Sequence, residues 1–161
     1  MVNVVHRRVL DADPSDVGRL LDTLGSADDR LWPREQWPAL ELDGPLAAGA
    51  AGGHGPVCYT VVAYEPGRRV RFRFSAPEGF LGHHWFVADP MEAGVTMLSH
   101  HLVMRAVGPA RVTWPLFYRP LHDALIEDAL DTAERNLGTG PDQPAAWGGA
   151  TRALRSLAAV G

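Results

Sequence analysis

The 161 residues fit one domain, long enough to bury a single core. An apolar share of 46% is that of a globular protein, and a net charge of −4 without a basic stripe excludes a nucleic-acid partner. The single cysteine, Cys58, excludes an internal disulfide and a multi-cysteine zinc site, and no run reaches the roughly 18 apolar residues of a membrane span.

Asn3–Leu10 is rich in valine and reads as a strand. The residues before it carry no apolar leader, so a cytoplasmic protein is expected. Asp13-Pro14-Ser15-Asp16 signals a helix start, and Val17, Leu20, Leu21 and Leu24 follow at helical spacing up to Gly25. A second short helix is expected over 26–36, interrupted by Trp32-Pro33 and Trp37-Pro38. Leu40–Leu42 is a short strand. Residues 44–56 are rich in Gly and Ala and read as a flexible connection with a pairing segment near Leu46. Val57–Tyr64 is a strand, and Glu65-Pro66-Gly67-Arg68 is a hairpin turn. Val70–Phe74 alternates cleanly between apolar and Arg. His83–Ala88 is the next strand, residues 89–94 a turn, and Val95–Val107 a long strand ending at Gly108-Pro109. Short turns between these strands favour an antiparallel meander.

A long amphipathic helix then runs from about Trp114 to Leu137. Tyr118, Leu121, His122, Leu125, Ile126, Ala129, Leu130, Ala133 and Leu137 share one arc. Asp123, Glu127, Asp131 and Glu134 lie opposite and read as a solvated face. Pro115 and Pro120 predict a kink or a looser first turn. The domain is expected to end at 138, with 139–161 a linker and a short terminal helix over Thr151–Ala159.

The order of these elements resembles the helix-grip fold of the SRPBCC/START superfamily, over residues 2–138. The segments Gly-His-Gly-Pro-Val-Cys-Tyr at 53–59, Glu-Pro-Gly-Arg-Arg-Val-Arg-Phe-Arg-Phe at 65–74 and Trp-Pro-Leu-Phe-Tyr-Arg-Pro-Leu-His-Asp-Ala-Leu-Ile-Glu-Asp-Ala-Leu at 114–130 look like those of bacterial polyketide cyclase/dehydratase-like members. The expected class is therefore α+β. It has a curved antiparallel sheet of six to seven strands, two short helices after the first strand and a long C-terminal helix across the sheet. The resemblance implies a cavity between sheet and helix that takes a small apolar ligand.

Burying Arg71 and Arg73 unpaired would be costly, so Val70, Phe72 and Phe74 point inward. On the last strand Leu98, His100, Leu102 and Met104 share a face, with Arg105 on the other. His84 and Phe86 oppose His83, Trp85 and Val87, and the pattern does not choose between them. Tyr59 and Val61 are taken as inward. The helix offers Trp114, Phe117, Tyr118, Leu121, His122 and Leu125. The expected cavity wall is then Tyr59, Val61, Val70, Phe72, Phe74, His84, Phe86, Leu98, His100 and Leu102 with those six helix residues.

No catalytic residue is assigned. His122, in the apolar arc, reads first as a core histidine, then as a ligand contact, then as an acid/base. His83-His84 and His100-His101 raise the question of a metal. No inward carboxylate is identifiable and no metal motif fits, so neither metal nor cofactor is expected. Cys58 reads as inert, and the Gly-rich run lacks the Lys-Ser/Thr of a phosphate loop. Three functions remain: a binder of a small hydrophobic or aromatic ligand, a cyclase/aromatase or dehydratase in the same cavity, and a protein-interaction module with a closed cavity. A homodimer is left open.

Overall fold

The computed structural model describes residues 1–158. Seven antiparallel strands form one sheet in the order β1-β7-β6-β5-β4-β3-β2. They are β1 Val2–Leu10, β2 Glu41–Leu42, β3 Ala51–His54, β4 Val57–Glu65, β5 Arg69–Ala76, β6 Phe80–Glu92 and β7 Val95–Ala106. Helix α1 spans Pro14–Leu21. A continuous helical stretch runs through α2 Ala110–Thr113, a π-helical turn Trp114–Tyr118 and α3 Arg119–Leu137. Helix α4 spans Gly149–Ala158. This is the helix-grip arrangement, a long helix packed across a curved sheet.

Local chemistry explains most of these limits. Pro14 opens α1, and Val17, Leu20 and Leu21 bury its apolar face. At Gly18 the helix comes so close to the β4–β5 turn that an added Cβ would lie 2.2 Å from the Gly67 carbonyl oxygen. Gly138 ends α3 in the left-handed region, φ 80°. Alternation on β5 puts Val70 and Phe72 in the core and leaves Arg69, Arg71 and Arg73 exposed.

Three expectations need correction. Residues 26–36 form successive turns, not a helix. Asp29 explains this: its carboxylate accepts hydrogen bonds from the backbone N–H groups of Gly25, Leu31 and Trp32, at 2.9, 3.0 and 2.8 Å. A side chain serving the backbone in this way competes with helical bonding. The Gly/Ala-rich run is not wholly a loose connection, since Ala51–His54 forms β3 between β2 and β4. Its glycines permit close approach: a Cβ at Gly52 would stand 1.8 Å from the Glu41 carbonyl oxygen. Strand β6 also runs on to Glu92, through part of the segment expected as a turn.

The segment from 139 onward is tied to the domain. Ala145 N–H donates to Asp131 Oδ2 at 2.7 Å, and Trp147 Nε1–H to Asp128 Oδ2 at 2.7 Å. Asp128 accepts a second indole N–H, from Trp37, at 2.7 Å. The expected terminal helix is α4, whose final expected residue, Ala159, lies outside the described residues.

Two apolar clusters make the core. The larger gathers α1, the Leu31–Leu40 region, the centre of the sheet and the second half of α3. The smaller gathers Val4, Phe80, Leu102, Met104, Ala110 and Trp114 at the other end.

Candidate ligand-binding cavity

Between the sheet and the long helix lies a cavity of about 330 Å³ whose lining draws on both apolar clusters. That volume is in the range of small-molecule sites. Ten of the expected wall residues line it: Phe74, His84, His100, Leu102, Trp114, Phe117, Tyr118, Leu121, His122 and Leu125. The other six, Tyr59, Val61, Val70, Phe72, Phe86 and Leu98, face inward as well but are packed in the core and do not line the cavity. Residues outside the expectation complete the wall. Trp32, Trp37 and Pro38 come from the irregular segment before β2, His54, Gly55, Pro56 and Val57 from the β3–β4 hairpin, Phe80 from β6, Ile126 from α3 and Arg155 from α4. The signal for the first group was the pair of Trp-Pro steps; the signal for Arg155 lay beyond the expected domain end.

Four histidines stand in this wall. On β6 and β7 the sheet register places His84 opposite Leu102 and His100 opposite Phe86. The alternation that left His84 against His83 undecided resolves with His84 and His100 inside, both buried. His83 and His101 take the outer face, where His101 stacks on Trp85 at 4.9 Å and the Arg71 guanidinium lies over the same indole. His84 Nδ1 and His100 Nε2 are 3.3 Å apart, and the His100 and His122 rings are 5.2 Å apart. Tyr59, fully buried, meets His54 Nδ1 at 3.0 Å.

Burial sets the charge of all four. It pulls His84 and His100 well below 6.5, helped by neighbouring imidazoles, and takes His54 down to about 3. It also lowers His122, against the opposing pull of Asp123. The four imidazoles are neutral at pH 7. Burial likewise pushes the Tyr59 phenol well above 10, so it keeps its proton beside His54 Nδ1. Three imidazole nitrogens, His84 Nε2, His100 Nδ1 and His122 Nε2, are buried without any hydrogen-bond partner. Neutral rings that share one hydrogen bond have opposite free ends. Of His84 Nε2 and His100 Nδ1, one is therefore a donor and the other an acceptor.

Behind His122 lies a charged network that the sequence reading missed. The acidic stripe of α3 is not a solvated face; it packs against β1. His6 Nδ1 donates to Glu127 at 2.6 Å and His6 Nε2 to Asp123 at 3.1 Å. Burial opposes the His6 cation, but these two carboxylates outweigh it and raise its pKa. Arg8 bonds Asp131 at 3.0 Å, Glu127 at 3.1 Å, and Glu134. Burial would raise the Asp123 carboxyl, but hydrogen bonds from His122, His6 and Arg119 outweigh it and hold it far below 3.8. Among the described residues, His6, His122 and Asp123 are the three whose donor atoms lie close enough together to hold a metal ion, all within 4.8 Å. Asp123 supplies a carboxylate beside His122 but does not line the cavity, and its hydrogen bonds already satisfy it as an ion pair.

No family model matches the sequence, and no curated protein matches it. Solved structures do. A protein from Thermobifida fusca superposes with a TM-score of 0.63 at 14% identity, over 84% of this chain and 95% of its own. CalU16 from Micromonospora echinospora gives 0.58 at 14% identity, over 96% and 82%. Ara h 8.0201 gives 0.56 at 14% identity, over 85% and 95%. At such identities the likeness establishes the helix-grip fold and nothing further. Among the described residues no helix is long and apolar enough to cross a membrane.

Proposed function

We propose that the protein binds a small hydrophobic or aromatic ligand in the cavity beneath the long helix. The observation that carries this reading is the wall itself. Trp, Phe and Leu side chains surround about 330 Å³, and the polar groups among them are four neutral imidazoles, with Tyr118 and Arg155 also in the wall. A sealed core would be expected to satisfy its buried nitrogens; three here have no protein partner. Solvent extraction of the purified protein, read by mass spectrometry, should release a small molecule in stoichiometric amount. Leu121→Trp, which fills the cavity from α3, should lower that yield. Equal yields from the two proteins would refute the reading.

A second reading, an enzyme of the cyclase or dehydratase kind in the same cavity, draws on the contact between His122 Nδ1 and Asp123 Oδ1 at 3.3 Å. An ionised carboxylate behind a neutral imidazole is the arrangement of a general base. Turnover of a poly-keto substrate that survives His122→Ala would dispose of it.

A further inference from the structure

The proton positions around His122 narrow the ligand's chemistry. Asp123 is held ionised by His6, Arg119 and His122 itself, so its oxygens can only accept. His122 Nδ1, 3.3 Å from Oδ1, must then carry the proton. A neutral imidazole holds one proton, which leaves Nε2 as a bare lone pair. That atom is buried and has no protein partner. No group around it supplies one: the Trp114 and His100 rings lie 5.8 and 5.2 Å from the His122 ring, and neither hydrogen-bonds to it.

We infer that the ligand of this cavity carries a phenol- or enol-type hydroxyl that donates its proton to His122 Nε2. This rests on the ligand-binding reading and adds the polar group that reading leaves open. Three alternatives fit less well. A carboxylate ligand has no proton to give, and the cavity histidines are neutral. The one Arg in the wall, Arg155, is held by Trp37, Trp147 and the Gln36 carbonyl. An ammonium would lose its hydration in an apolar pocket without a carboxylate facing it. An aromatic or conjugated hydroxyl brings a strong donor on a flat apolar body, which the Trp and Phe wall suits. His6 and Asp123 act as positioning residues, because they fix the tautomer without touching the ligand.

The test uses three probes of one shape: 1-naphthol, 1-methoxynaphthalene and naphthalene, titrated into the full chain near pH 7.5. Wild type should prefer naphthol to its methyl ether by about tenfold, the worth of one buried hydrogen bond. In His122→Phe that ratio should fall to about one. Naphthalene bound by wild type, but with naphthol and ether equal, overturns the hydroxyl inference and leaves the ligand-binding reading intact. Failure of all three probes to bind overturns that reading instead. Should His122→Phe not fold, ¹⁵N NMR of histidine-labelled wild type decides. Nε2 of His122 should be unprotonated and shift on adding naphthol but not the ether. A protonated Nε2 overturns the inference.

Discussion

Replacing Asp128 by Ala tests how firmly the chain beyond Gly138 belongs to the domain. Asp128 is buried in α3, and its Oδ2 accepts both the Trp37 and the Trp147 indole N–H at 2.7 Å. A hydrogen bond to a charged group contributes roughly 1.5–3 kcal/mol. Two such bonds, less the desolvation that the buried carboxylate no longer suffers, put the loss at about 3 kcal/mol. For a domain of this size that lowers Tm by about 6–12 °C. The effect should reach the cavity, because Trp37 lines it and Arg155 stacks on both Trp37 and Trp147. The assay is equilibrium urea unfolding followed by tryptophan fluorescence, with Asp128→Asn alongside. Asparagine keeps an oxygen for the two indoles and should recover most of the loss. A change below about 0.5 kcal/mol in Asp128→Ala, or equal damage from both variants, would show that the two indole bonds do not anchor this segment.

Stability should also fall between pH 6.5 and 5. His54, His84, His100 and His122 have folded-state pKa values below 6.5, so unfolding takes up protons as pH drops through that window. Each contributes up to about 1.4 kcal/mol per pH unit, and His84→Phe should flatten the slope in pH-dependent unfolding. His6 acts in the opposite sense. Its raised pKa gives stability that is complete below 6.5 and lost as pH rises through the folded value, so His6→Gln should remove a decline measured as the pH is raised above 6.5. Gly18→Ala forces a Cβ to within 2.2 Å of the Gly67 carbonyl oxygen, and should cost roughly 1–3 kcal/mol by thermal unfolding. A neutral result there would mean that α1 and the β4–β5 turn separate easily.

The sheet was largely legible because β5 and β7 alternate strongly, with arginines marking the outer face. β6 resisted the same argument. Its outer face holds Trp85 beneath His101 and Arg71, so both faces carry rings and period two cannot rank them. The missing second helix has a local cause in Asp29, but one that shows only when the carboxylate reaches the Leu31 and Trp32 amides. The acidic stripe of α3 failed for a different reason. A charged helix face reads as solvated unless the strand it meets is known to present His6 and Arg8 inward. That pairing crosses more than a hundred residues and leaves no periodic trace. Of the site, ten helix and strand residues could be read from the pattern, while six others that it turned inward pack in the core instead. The contributions of Trp32, Trp37, His54 and Arg155 could not, since they come from segments without regular periodicity or from beyond the expected domain end.

The π-helical turn at Trp114–Tyr118 sets a rule about chain length. A π turn holds about one residue more than an α turn, so the helix faces before and after it are offset by roughly 100°. With that offset Ala110 closes the smaller apolar cluster, Trp114 joins that cluster to the cavity wall, and Leu121 and His122 face the cavity. Deleting one residue here would leave the composition almost unchanged but rotate α2 about the common axis, turning Ala110 out of its cluster. In this stretch it is the count of residues, as much as their identity, that determines which side chains face the cavity.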